Sequence, residues 1–431
     1  MDDVKESVRQ AGITLVRCIR GLTLRFADKE LTPPKEGKDA VAAALPLLLQ
    51  LGLPSRVPEV QALAVDTIAK IIKAAGPELV KPHLHIVVPA LLESLSGLED
   101  SRLNYVEQHA ERLGLDAGKL ESARVSAAQG GILGETLETC ARHVDSETFT
   151  ALAPALSGLI RRGVGLNTRA GAGRFVSQVA RRLGDGSSAA APQLMRALQE
   201  ACAAERSPVV RRAYAAANAL LAKHASQARI DKYVATWLES YSADDADEST
   251  RAVSGLLLRS LARESGDLFS RYAADVAPVA YMAQYDPDEQ VATIWADLWE
   301  ESTTSVGAGL RLHAGAVLEK VQLGLKSSQW GRKKAAAAAA AKACDAGGDA
   351  LVPYAPKLME CLLAELPGRL WEGKETVLVA LGAVLKACPG ALKSTDAGLP
   401  VKVVNVLLEA SGKKKAAYRK EALIQLKEGT L

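Results

Sequence analysis

Slide this chain along itself by 41 positions and two tryptophans and two lysines fall into line. "QWGRKKAAAAAAAKAC" (329–344) then overlies "LWEGKETVLVALGAVLKAC" (370–388), with Trp330 on Trp371 and Lys333 on Lys374. A shift of 42 lays "NTRAGAGRFVSQVARRLG" (167–184) over "VVRRAYAAANALLAKHA" (209–225), with Arg169 on Arg211. A motif that returns every forty-odd residues is one supersecondary unit, too small to bury its apolar face alone. The units must stack on one another.

Each of these segments follows another apolar stretch that carries proline, at Pro154, Pro192, Pro278, Pro353 and Pro356. Proline is tolerated in a first helical turn and kinks a helix interior. Turn signals close the units: "RRLGDGSS" (181–188), "YSADDADES" (241–249), "YDPDEQ" (285–290), "DAGGD" (345–349) and "ACPGAL" (387–392). Helix pairs with a bent first member and a period of ~40 to 47 residues are the HEAT and armadillo pattern. The predicted fold is therefore all-α, an α-solenoid (superhelix) of HEAT/armadillo-like helical hairpins. It runs over residues 1–431 as a single body of roughly eight to ten pairs, with an irregular unit or insertion near residues 96–146, where glycines punctuate the pattern.

The seven alanines 335–341 read as the second helix of one unit, facing a first helix on each side. Alanine has the best helix propensity and lets axes approach toward the lower end of ~8 to 10 Å. Arg332, Lys333 and Lys334 at its start have the wrong sign for the helix dipole. An acidic or carbonyl group of an adjacent unit is the expected compensation. Arg9, Arg169, Arg211, Lys333 and Lys374 recur at equivalent places, as such a ladder requires.

Composition agrees. With 48% hydrophobic but only 4% aromatic residues, the core rests on Ala and Leu, which suits stacked helices. The net charge of +3 is far from the clustered basic balance of a dedicated nucleic-acid binder, whose domain pI exceeds ~9. Six unpaired-looking cysteines scattered over the chain point to a reducing compartment and away from a disulfide framework. "MDDVKESVRQ" lacks the apolar core of a secretory signal. The most apolar stretch (41–53), broken by Pro46 and Gln50, falls short of the ~20 residues of a membrane span.

Signals for chemistry are weak. "RRGVGLNTRAGAGR" (161–174) is glycine-rich but has neither the lysine nor the preceding strand of a phosphate loop, so it reads as a tight interhelical turn. Its arginines, Arg161, Arg162, Arg169 and Arg174, form a candidate contact patch. His83 and His85 do not share a helix face, and Cys140 with His143 makes a lone CxxH, short of the three ligands zinc needs. No nucleophile and base pair can be nominated, and no catalytic, metal or cofactor site is expected. Trp295, Trp299, Trp330 and Trp371 are candidate partner contacts, because aromatics are enriched at interface hot spots, although paired tryptophans on one helix face also suit a core. The acidic run Asp244, Asp245, Asp247 and Glu248 reads as a solvated loop, with a weak partner contact as its functional alternative.

Six stretches, in order along nearly the whole chain, resemble the large HEAT-repeat proteasome adaptor and scaffold family: "SVRQAGITLVRCI" (7–19), "LESARVSAA" (120–128), "LIRRGVGLNTRAGAGRFVSQVA" (159–180), "IWADLWEESTTSVGAGLRLH" (294–313), "LKSSQWGRKKAAAAAAAKA" (325–343) and "PGRLWEGKETVLVALGAVLKAC" (367–388). The family is several times longer, so the resemblance places this chain as a carboxy-terminal part of it. It implies a non-enzymatic scaffold that binds 26S proteasome subunits of the core and regulatory particles, tethers or stabilises their contact, and acts in assembly quality control in cytoplasm and nucleus. Two other readings stay open from the residues. One is a HEAT-type nuclear-transport receptor, which wants a strongly acidic inner surface. The other is a HEAT-like DNA glycosylase, which wants a cationic groove with an aromatic and a carboxylate at the lesion.

Overall fold

The computed structural model describes residues 5–97, 116–390 and 398–429, with Val106, His109 and Arg112. Among the described residues there are twenty helices of ten residues or more and no strand. They divide into two compact units, Met1–Gln227 and Ala228–Leu431.

In the first unit the helices are α1 Glu6–Ala27, α2 Pro34–Leu47, α3 Pro58–Ala74, α4 Leu84–Gly97, α5 Ala117–Gly130, α6 Ile132–His143, α7 Ser146–Arg162, α8 Leu166–Leu183, α9 Ala191–Ala204 and α10 Pro208–Ala222. In the second they are α11 Gln227–Ser242, α12 Glu248–Glu264, α13 Ala273–Ala283, α14 Glu289–Ser302, α15 Val306–Leu325, α16 Trp330–Gly347, α17 Ala355–Ala364, α18 Glu375–Ala387, α19 Leu399–Ser411 and α20 Ala416–Gly429.

Local chemistry sets where many of them begin. Asp116, Asp145, Ser207, Asp247, Asp288 and Ser305 each sit at an N-cap and accept a backbone N–H three residues on; such a cap contributes about 1 kcal/mol. Asp145 also takes the Lys81 ammonium at 2.8 Å, and that bond, with those from Thr148, holds its carboxyl well below the usual carboxylate range. Pro154 and Pro278 lie inside α7 and α13, and Pro192 and Pro356 lie in the first turns of α9 and α17.

Consecutive helices pair, and pairs stack. In the first unit α7 packs on α8 and α9 on α10, while α7 also meets α9 and α8 meets α10. In the second, α13/α14, α15/α16, α17/α18 and α19/α20 are pairs; α13, α15 and α17 make one row and α16, α18 and α20 the other. Each unit is thus a solenoid-type stack of helical hairpins. In the 96–146 segment, residues 98–105 and several that follow lie outside the described residues; the rest forms α5 and α6, parted by the Gly130–Gly131 turn.

The alanine run occupies the middle of α16, and Ala336, Ala337, Ala339 and Ala340 are fully buried. Its neighbours are the first helices α13 and α15 and, as closely, the second helix α18 of the next pair. Opposite it on α15, a Cβ added to Gly324 would lie 2.8 Å from the Ala336 methyl, so the two backbones approach as closely as small residues allow. An Ala336→Leu substitution has no room, and urea unfolding is expected to register a loss of about 1–3 kcal/mol.

Candidate interaction surface

The cations that open α16 do find partners. Lys333 donates to the Glu365 carboxylate beyond α17, with both side chains mostly buried. Arg332 reaches back about ninety residues to the end of α11, donating to the carbonyls of Ser242 (2.6 Å), Tyr241 (3.3 Å) and Ala243, and to the Asp244 carboxylate at 3.2 Å. The last carbonyls of a helix carry its negative dipole end, so the guanidinium caps α11 while escaping the positive end of α16. Two members of the acidic run are therefore accounted for inside the unit: Asp244 holds Arg332, and Asp247 caps α12.

The same device recurs at the start of other second helices. Arg169 of α8 pairs with Glu205 in the α9–α10 linker at 2.8 Å. Arg251 of α12 pairs with Asp286 in the α13–α14 linker, Nε to Oδ2 at 2.9 Å and Nη2 to Oδ1 at 3.2 Å. Lys333 with Glu365 is the third such rung. Arg211 and Lys374 bond linker carbonyls of their own hairpins instead: Arg211 that of Glu205 at 2.6 Å, Lys374 those of Pro367 and Arg369 at 3.2 Å each. Lys374 is buried, and burial lowers its pKa. Arg9 pairs with Glu6 of its own helix. The rung at Arg251 went unread in the sequence, although Arg251 follows Arg211 by 40 positions; that spacing was the available signal.

The four arginines of residues 161–174 do not form one patch. Gly165, at φ +89°, makes the turn between α7 and α8, and the side chains fan out to different neighbours. Arg161 pairs with Glu200 of α9 (2.9 Å), Arg169 with Glu205, and Arg174 with Gln129 of α5. Arg162 is exposed and lines an open cleft of about 540 Å³ with Pro89, Glu93, Pro154 and Val164, between α4 and α7.

The tryptophans need a correction. Trp295 and Trp299 are fully buried and Trp371 nearly so, whereas Trp330 is 52% exposed. Trp295 donates its indole N–H to the Arg251 carbonyl at 3.1 Å and packs its ring on Tyr241, and Trp299 meets Tyr281 edge-on. Of the four, only Trp330 offers surface to a partner. Trp330 and Trp371 also do not occupy matching seats. Trp330 is the first residue of α16, while Trp371 lies in the linker four residues ahead of α18, and Lys374 is the N-cap of α18.

Cys140 is buried, and burial pushes its thiol up to about 12. Zinc needs at least three protein ligands, and Cys140 with His143 supplies two. Among the described residues no group of three or more His, Cys, Asp or Glu side chains is placed to hold a metal ion, and no helix is long and apolar enough to cross a membrane.

Stacked hairpins keyed by cation-to-linker rungs define a HEAT-type helical-repeat protein. Within that class the chain resembles one family in particular. The family described as proteasome adapter and scaffold protein ECM29, HEAT-repeat domain, matches residues 80–242. The human proteasome adapter and scaffold protein ECM29 is 29% identical over 97% of this chain and 23% of its own length. The Drosophila melanogaster proteasome-associated protein ECM29 homolog is 28% identical over 99% and 22%, and the Saccharomyces cerevisiae proteasome component ECM29 23% identical over 88% and 20%. The chain spans less than a quarter of the length of these relatives. Among solved structures, importin beta aligns over 100% of this chain and 56% of its own at 14% identity with a TM-score of 0.35, and Kap121p over 100% and 47% at 12% identity with a TM-score of 0.40.

Proposed function

We propose that this chain is a non-enzymatic adapter that binds the proteasome, touching core and regulatory particles and serving their assembly or its quality control in cytoplasm and nucleus. The observation that supports the reading is the likeness, over nearly the whole chain, to proteins named proteasome adapter and scaffold. The mechanism is that of a rigid surface on which a few anchors carry most of the affinity. Arg162 beside its cleft and Trp330 at the head of α16 are exposed contact candidates, as are Arg161 and Arg174, whose side chains are tied to Glu200 and Gln129.

The test is affinity purification of the tagged chain from cells, with mass spectrometry of the copurifying proteins. Proteasome subunits are expected in the eluate, and their yield is expected to fall at least tenfold for an Arg162→Glu/Trp330→Ala variant whose melting curve is unchanged. A well-expressed, folded chain that brings down no proteasome subunit overturns the reading.

A further inference from the structure

Four cations from separate parts of the first unit converge on the corner where α6 ends and α7 begins. Arg142 and His143 are the last two residues of α6, and Asp145 is the N-cap of α7. Arg182, in the last turn of α8, crosses over and donates its Nε to the Ala141 carbonyl at 3.0 Å. Lys81, in the short turn Lys81–His83 that leads into α4, reaches Asp145 at 2.8 Å. Lys29, in the α1–α2 linker, lies just ahead of that turn, its Cδ 3.9 Å from where a Cβ on Gly76 would stand. Lys29, Arg142 and Arg182 are exposed, and Lys81 is half-buried.

Cations in a last helical turn complement the dipole, which accounts for Arg142 on α6 and Arg182 on α8. It does not account for Lys81 and Lys29, which come from linkers. Asp145 cannot offset all of them, because its Oδ2 takes Lys81 while its Oδ1 takes the N–H and O–H of Thr148, at 2.9 and 2.6 Å. Glu147 stands in the first turn of α7, where it serves the positive end of that helix, and Asp185 beyond α8 is held by His224 at 2.8 Å. His143 registers the imbalance: burial, and then the charges of Arg142, Arg182, Lys81 and Lys29, lower its pKa. An anion set among these four side chains is attracted by each of them.

The donors left over select the anion. Arg182 spends its Nε on Ala141, and Arg142 spends Nη2 on Thr139 at 3.0 Å. Each keeps part of its fork, and a guanidinium fork takes a carboxylate through charge-assisted bonds. Helices α4, α6 and α8 pack on one another, so Arg142 and Arg182 start from fixed backbone. A nucleic-acid face instead runs its cations along a groove and interleaves aromatic rings on which bases stack. Here the cations meet at one corner, and Phe149, the aromatic that follows it in α7, is fully buried.

We propose that the corner formed by Lys29, Lys81, Arg142 and Arg182 is a docking surface for an acidic segment of a partner protein, a stretch rich in Asp and Glu. The inference is independent of proteasome binding, and either can fail alone.

The test uses the full chain and two fluorescein-labelled peptides, one of Glu and Gly in equal number and the other with Lys in place of Glu. Fluorescence anisotropy is expected to show the Glu peptide binding at least tenfold tighter than the Lys peptide. Arg142→Glu/Arg182→Glu is expected to lose that binding at least tenfold while keeping the parent's circular dichroism and melting curve. Arg182 also caps α6, so Arg142→Glu alone is the second variant and is expected to weaken binding at least threefold. Lys326→Glu/Lys357→Glu, at exposed positions of the second unit, changes the net charge as much as the first variant and is expected to leave the affinity within twofold. Equal affinity for the two peptides, no binding of either, or binding untouched at Arg142 and Arg182 overturns the proposal. So does an equal loss in Lys326→Glu/Lys357→Glu, which assigns the binding to net charge alone. Tighter binding of a fluorescein-labelled single-stranded oligonucleotide of the same charge, lost in Arg142→Glu/Arg182→Glu, overturns it in favour of nucleic acid.

Discussion

Asp286→Ala is expected to lower the stability of the second unit by about 3–5 kcal/mol, the cost of leaving a buried charge without its partner. Asp286 is 5% exposed and Arg251 15%, and the pair is bidentate. The same carboxylate accepts the Asp288 N–H at 3.0 Å and lies 3.4 Å from the Tyr241 hydroxyl. Once the carboxylate is removed, the guanidinium keeps one bond, to the Ala246 carbonyl at 2.8 Å, and has lost the anion that offset its desolvation. For a unit of roughly 200 residues the loss converts to a fall in melting temperature of roughly 6–20 °C, readable by calorimetry or circular dichroism. The decisive comparison is Arg251→Met/Asp286→Leu. Replacing both partners by apolar side chains leaves no orphan charge, so the double variant is expected to be more stable than Asp286→Ala. If Asp286→Ala unfolds within 1 kcal/mol of the parent, the rung contributes nothing to the stacking and the ladder is ornamental.

The ladder also shows which parts of this structure were legible in the sequence. Cations at the heads of second helices were visible because they violate the dipole rule, and a violation kept at Arg169 and Lys333 implies a compensating acid. Which acid could not be read, since Glu205, Asp286 and Glu365 all sit in linkers of the following pair, 36, 35 and 32 residues on. The alanine run was legible as a buried helix because no other side chain permits that approach. The tryptophans were not. Matching Trp330 to Trp371 by residue type assumed that the helix begins at the same point in both repeats, and the linker before α18 shifts that point by several residues. In the 96–146 segment, among the described residues, Gly118 and Gly134 lie inside α5 and α6, and Gly130 and Gly131 mark the turn between them.

The tryptophans' burial carries the other large effect. Trp295→Ala is expected to cost about 3–5 kcal/mol in urea unfolding, the range for deleting a large buried aromatic. Trp295 is fully buried, its ring centroid 4.6 Å from that of Tyr241, and its N–H satisfies the carbonyl of Arg251, the residue whose guanidinium holds Asp286. Tyr241 in turn touches Asp286, so core and ion pair share members. Residues joined in this way do not contribute independently. The Asp286→Ala/Trp295→Ala double variant is therefore expected to lose less than the sum of the two single losses by about 0.5–3 kcal/mol, because the cavity left by the indole admits water to the stranded guanidinium. Strict additivity would mean that the two act as separate supports, with the aromatic core indifferent to the rung beside it. A partner-contact role for Trp295 makes a different prediction again, a loss of binding at unchanged stability, so one unfolding curve separates the two roles.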